Sequence, residues 1–76
     1  MKALLETLAR ELVDEPDQVS VSEWDEGDGL YLELRVAPED RGFVIGKRGG
    51  TADALRTVLD AVARRRGTNC DMEIVD

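Results

Sequence analysis

The chain predicts an α+β fold in the order α-β-β-α-α-β: a three-stranded mixed sheet with helices packed on one face. Three observations carry this. Leu30, Leu32, Leu34 and Val36 alternate with Tyr31, Glu33 and Arg35, which makes a strand with one buried face. Apolar residues at helical spacing run through residues 2–13 and again through residues 50–66. A last alternating stretch, Cys70, Met72 and Ile74 among acids, follows the second helical run.

Element by element, Leu4, Leu5, Leu8 and Leu12 line one face of a helix from about Lys2 to Val13, which Pro16 stops. Val19 and Val21 alternate with Ser20 and Ser22 in a short strand that ends near Trp24. Residues 25–29, Asp-Glu-Gly-Asp-Gly, are turn formers, so this strand and the one from Leu30 form a hairpin. Pro38 opens a short helix, with Glu39 and Asp40 near its positive dipole end. That helix ends at Ile45, and Gly46 is its left-handed stop. A longer helix runs from about Gly50 to Arg66, closed by Gly67, with Ala52, Leu55, Val58, Leu59, Val62 and Ala63 inward. Two helices between the strand at 30–36 and the last one permit a crossover that pairs them in parallel.

Seventy-six residues make a single domain, 1–76, that buries roughly 60% of its unfolded surface. With 42% hydrophobic and 36% charged residues the composition is globular. The lone Cys70 forms no internal disulfide and reads as a small hydrophobe, which fits a reducing, cytoplasmic setting. No apolar run approaches the ~20 residues of a membrane span, so no membrane partner is expected. The net charge is −7, yet residues 41–66 hold seven of the ten bases and only Asp53 and Asp60 as acids. That segment is +5 and the remainder −12, a bipolar molecule.

The tetrapeptide Gly46-Lys47-Arg48-Gly49 lies in the basic segment. Glycines let the main chain approach a partner closely, and Lys47 and Arg48 put positive charge at the tip. The helix that starts at Gly50 and Thr51 aims its free N–H groups the same way, so phosphate is the expected anion. Against this stands an ordinary helix-to-helix turn with solvated cations.

Other chemistries lack parts. A nucleotide-binding P-loop needs four residues between its glycines and Ser or Thr after the lysine; Gly42 to Gly46 encloses three, and Arg48 follows Lys47. There is no histidine, and the two serines lie on a strand, so no catalytic or metal cluster is expected and the chain reads as no enzyme, with no cofactor and no small-molecule substrate. A helix-turn-helix reading fails because Gly50, Thr51, Ala52 and Asp53 offer little to read bases.

Val44-Ile45-Gly46-Lys47-Arg48-Gly49, preceded by an α-β-β unit and followed by a helix, resembles the KH domain in its bacterial, type II arrangement. Residues 34–40, residues 49–58 and the terminal Glu73-Ile74-Val75-Asp76 are similar to the small single-KH proteins of the KhpA family, so the resemblance covers essentially the whole chain. It implies a sequence-tolerant protein that binds single-stranded RNA in the bacterial cytoplasm, a post-transcriptional regulator or RNA chaperone. It also implies a homodimer, or pairing with a larger KH protein of the KhpB (Jag) type. An adaptor that acts mainly through such pairing is the alternative. One departure stands out: the family commonly carries a basic residue directly after the loop, and this chain has Gly50.

The candidate RNA-binding residues are therefore Gly46, Lys47, Arg48, Gly49, Gly50 and Thr51, with Ile45, Arg56 and Phe43 beside them. Ile45 packs into the core and also floors an apolar groove for bases. Arg56 either reaches a phosphate or base edge or is solvated. With Val44 and Ile45 inward, Phe43 turns outward, either to stack a base or to enter a dimer interface. Arg64, Arg65 and Arg66 offset the negative end of their helix and can extend an RNA track. Trp24 and Tyr31 read as packing or interface residues.

Overall fold

A computed structural model describes residues 1–76. The helix α1 spans Lys2–Leu12, and the hairpin strands β1 and β2 span Ser20–Asp25 and Leu30–Arg35. Then come α2 at Arg41–Ile45, α3 at Gly50–Arg65 and β3 at Cys70–Ile74. Short 3₁₀ turns at Pro16–Gln18, Pro38–Asp40 and Lys47–Gly49 join them. The sheet order is β1-β2-β3, with β1 antiparallel and β3 parallel to the central β2. The crossover from β2 to β3 passes through α2 and α3, as the apolar spacing predicts.

Side chains alternate across the sheet. Val21, Leu32, Leu34 and Met72 face the helices and are buried against Leu5 and Ala9 of α1, Val44 of α2, and Leu55 and Leu59 of α3. Each leucine removed fully from water here contributes roughly 1.5–3 kcal/mol. Trp24, Tyr31, Glu33, Asp71 and Glu73 lie on the opposite face, which no helix covers.

Two expectations about the helices need correction. Ile45 is 41% exposed, and in the five-residue α2 only Val44 is buried. At ~100° per residue, one turn of helix on a surface sends one side chain inward and its neighbours to either flank. Val58 is likewise 43% exposed: the buried stripe of α3 is Ala52, Leu55, Leu59 and Ala63, and Val58 falls on the flank toward α1. Leu12, at the end of α1, is also exposed, and Val13 has already left the helix in an extended conformation.

Glu15, just past the end of α1, makes a long-range contact. Its N–H donates to Oδ2 of Asp40 at 3.0 Å, and Asp40 is only 1% exposed. This bond ties the α1–β1 connection to the start of α2. Sequence reasoning places the acceptor of this long-range bond, Asp40, only near the helix dipole.

Candidate nucleic-acid interface

Residues 46–49 do not continue a helix. Gly46 has φ 75° and ψ 172°, so it ends α2 with positive φ but an extended ψ instead of the left-handed helical stop expected. Arg48 (φ 56°, ψ 28°) and Gly49 (φ 74°, ψ 12°) are both left-handed. Positive φ at a residue with a Cβ costs roughly 1–2 kcal/mol, and Arg48 is the one non-glycine residue in this chain that bears it. The turn leads from α2 into α3 within four residues.

The loop partly satisfies itself. The Gly46 N–H donates to Gly42 O at 2.9 Å, Gly49 N–H to Gly46 O at 3.1 Å, and Gly50 N–H to Lys47 O. These three amides hold the loop's shape, so the expected cradle of glycine N–H groups is narrower than the sequence implies. No side chain caps α3, and the remaining donors of its first turn point back along the axis toward the loop. Thr51 is packed against Gly46: a Cβ at Gly46 would stand 2.7 Å from the Thr51 main-chain nitrogen. Contact of this kind fixes the loop against the helix start.

Charge is distributed unevenly among the bases of this segment. Arg41 pairs with Asp76 at 3.1 Å, Arg56 with Asp53 at 3.3 Å, and Arg64 with Asp60 at 2.9 Å. Lys47, Arg48, Arg65 and Arg66 form no ion pair. The first two sit at the loop and the other two at the far end of α3, separated by a helix of ~24 Å. Lys47 and Arg48 are exposed. Phe43 is 49% exposed and Ile45 41%, so two of the three apolar side chains of α2 stand open beside the loop and only Val44 is buried.

Arg56 is placed differently from the expectation. Its Nε–H donates to Met72 O at 3.1 Å, and its guanidinium meets Asp53. It spans a cleft of about 540 Å³ between α3 and the free edge of β3, where Asp60, Asp71 and Glu73 also stand. The structure thus brings Phe43, Ile45, residues 46–49, Gly50 and Thr51 together and directs Arg56 toward β3. The signal that sequence reasoning missed was Asp53, three residues before Arg56 on a helix, a spacing at which opposite charges meet.

Comparison with known proteins fits this architecture. The KhpA/KhpB KH-domain family matches residues 2–74. This chain belongs to that family. The fold described above is the type II KH arrangement, with the candidate loop between α2 and α3. A protein named RNA-binding protein KhpA from Halalkalibacterium halodurans is 50% identical over 76 residues, covering all of both chains. One of the same name from Clostridium acetobutylicum is 52% identical over 75 residues, 99% of this chain and all of its own. That from Aquifex aeolicus is 43% identical over 76 residues, covering all of this chain and 96% of its own. No solved structure matches. The KhpA/KhpB match spans both the sheet and the loop.

No helix is long and apolar enough to cross a membrane, and no group of three or more His, Cys, Asp or Glu side chains is placed to hold a metal ion. The Cys70 thiol is pushed above its ordinary range by burial and by the charge of Asp71, which disfavours a reactive thiolate.

Proposed function

We propose that this chain is a non-catalytic, cytoplasmic protein that binds single-stranded RNA and grips its backbone with residues 46–49, serving as a post-transcriptional regulator or RNA chaperone. The observation that carries this reading is the pair of unpaired cations, Lys47 and Arg48, on a sharply turned loop at the uncapped start of α3. Lys47 supplies a point charge and Arg48 a forked donor to phosphate oxygens. Gly50 and Thr51 leave the approach to the helix start open. Phe43 and Ile45 offer apolar surface on which bases lie, and one stacked base is worth ~1–3 kcal/mol.

The decisive variant is Lys47→Asp with Arg48→Asp, titrated with a single-stranded RNA at several salt concentrations. Far-UV circular dichroism stays unchanged and RNA binding is lost. Each phosphate neutralised on a single strand adds roughly 0.7 to the salt slope, so the wild type shows a contribution of ~1.4 from these two residues. Unchanged affinity in the variant defeats the proposal.

A second reading, pairing with another copy or with a larger KhpB-type protein, is favoured by one specific surface. Leu12 and Val58 are 39% and 43% exposed, and with Leu8, Ala54 and Leu55 they line an apolar depression of about 280 Å³ between α1 and α3. Aliphatic side chains this exposed on adjoining helices favour burial against a partner. Val58→Glu converts a self-associated form to monomer in sedimentation while the monomer keeps its fold. Identical sedimentation of wild type and variant across concentration removes self-pairing through this face.

A further inference from the structure

The uncovered face of the sheet carries an arrangement that RNA binding does not use. Trp24 and Tyr31 are cross-strand partners at the hairpin end of β1 and β2. Their rings stack with centroids 5.7 Å apart and planes inclined by 29°, and Trp24 is 47% exposed. Carboxylates surround them. The Tyr31 hydroxyl donates to Glu33 at 3.0 Å, Asp71 lies beside Tyr31 in the parallel register, and Glu73 lies beside Glu33. Like charges side by side across strands are destabilising. Arg35, 3.6 Å from Glu33, offsets them on this face, and Arg56 stands at the β3 edge beside Asp71 and Glu73 but is paired with Asp53, so neither of these two acids forms an ion pair. The Tyr31 hydroxyl is pushed above its ordinary range, first by burial, then by Glu33, with Glu73 and Glu26 adding to the effect. A negative field therefore covers an exposed aromatic pair.

Shape says how a ligand would lie. Tyr31 lines a shallow depression with Trp24, Glu26 and Glu33 (about 400 Å³) and also borders the cleft of about 540 Å³ at the β3 edge, where Asp71 and Glu73 stand with Arg56 and Asp60 of α3. Both are open, so neither encloses a small molecule, but an extended chain can cross from one to the other over the Tyr31 ring.

We propose that the outer face of the sheet docks an extended, arginine- or lysine-rich segment of a partner protein, seated on the Trp24–Tyr31 pair and held by Glu33, Asp71 and Glu73. Charge complementarity selects this occupant. A guanidinium lies flat on an aromatic face through cation–π attraction and donates to carboxylates at its edge. The same carboxylates repel phosphate, which keeps RNA on the loop side of the molecule. A protein can then be bound on one face while RNA is bound on another.

Trp24 is the single tryptophan, so its emission reports this face directly. The test titrates a short arginine-rich peptide into the full chain, following Trp24 fluorescence, and repeats the titration by calorimetry with variants. Emission changes on binding, and affinity falls about tenfold in Trp24→Ala, within the range of one desolvated cation–π contact. Trp24→Phe retains most of the affinity, which separates loss of the aromatic face from a packing defect. Glu33→Gln with Glu73→Gln weakens the peptide and flattens its salt dependence, and RNA affinity in Trp24→Ala stays at the wild-type level. Three results each overturn the proposal. One is equal peptide affinity in wild type and Trp24→Ala. The second is single-stranded RNA whose binding requires Trp24, which makes the face a base-stacking surface. The third is a self-associated form that Trp24→Ala dissociates, which makes the occupant a second copy.

Discussion

The Nε–H of Arg56 donates to the main-chain carbonyl of Met72 at 3.1 Å, joining the middle of α3 to the free edge of β3. A sheet edge left bare is a template for unwanted pairing, and an arginine that satisfies one of its carbonyls blunts it. Arg56→Ala therefore acts on stability: a lost hydrogen bond from a charged donor costs about 1.5 kcal/mol in urea denaturation. RNA affinity changes by less than that of either loop cation variant. A loss as large as in Lys47→Asp shows instead that Arg56 leaves Met72 to meet phosphate.

Gly46 and Gly49 both have positive φ, but they are not equivalent. At Gly46 a Cβ meets the Thr51 main chain at 2.7 Å, and its φ of 75° with ψ of 172° belongs to a region essentially reserved for glycine. At Gly49 a Cβ meets nothing within 4 Å, and only the left-handed φ of 74° opposes it. Gly49→Ala costs ~1 kcal/mol and Gly49→Asn less, since asparagine visits this region readily. Gly46→Ala costs more than either, because the α2–α3 junction must open to fit it. Thermal melts of the three variants rank them; Gly46→Ala melting with or above Gly49→Ala contradicts the packing argument.

How far the sequence anticipates this can be judged on particular residues. The strand at 30–36 was legible because strict alternation survives any tertiary context that buries one face. The parallel β2–β3 pairing followed from two helices between the strands. Val58 and Ile45 were misplaced inward for one reason: hydrophobicity marks what prefers burial, and a small domain lacks enough core to take every apolar side chain. Arg56 has two partners of different legibility: Asp53 stands at a helical spacing that the sequence shows, whereas the main-chain carbonyl of Met72 is recorded by no residue pattern. Nor does spacing reveal Asp40, buried at 1% exposure, since its partner is the Glu15 amide twenty-five residues away. The loop's location was evident from its glycines. Its left-handed Arg48 was not, because that conformation is imposed by the closure of α2 onto α3.

Gly50 lies in regular helical geometry, with φ −64° and ψ −39°, and a Cβ there meets nothing within 4 Å. Nothing in the fold demands glycine at this position, so Gly50→Arg adds a cation directly after the loop. Removing glycine from a helix gains roughly 0.5–1 kcal/mol, less a few tenths for a cation at the positive dipole end. Stability rises slightly, RNA affinity rises several-fold, and the salt slope steepens by ~0.7. A more stable variant with unchanged RNA affinity and slope means that phosphate does not pass the start of α3.

The carboxyls of Glu15 and Glu39 act on one another across the junction that Asp40 secures, and their titrations move in opposite directions. The Glu15 carboxyl is raised from the ordinary 4.5 to about 6, chiefly by its hydrogen bond to Glu39 and the Glu39 charge, with burial, Asp40 and Asp17 adding to it. Glu39 is held below its ordinary value by the same hydrogen bond. A raised carboxyl favours the fold while protonated, so the Glu15 contribution is complete below 4.5 and is lost as pH climbs through about 6. The lowered Glu39 has the opposite sense: its contribution is present above 4.5 and is lost as pH falls through its depressed value. Both are present together only in the window between 4.5 and about 6. Glu15→Gln keeps a donor for Glu39 and removes the titration. Its melting temperature therefore exceeds that of the wild type at about pH 7, and the advantage closes by about pH 5. Melting curves collected across that interval decide it, and parallel profiles for the two proteins mean that the carboxyls titrate independently.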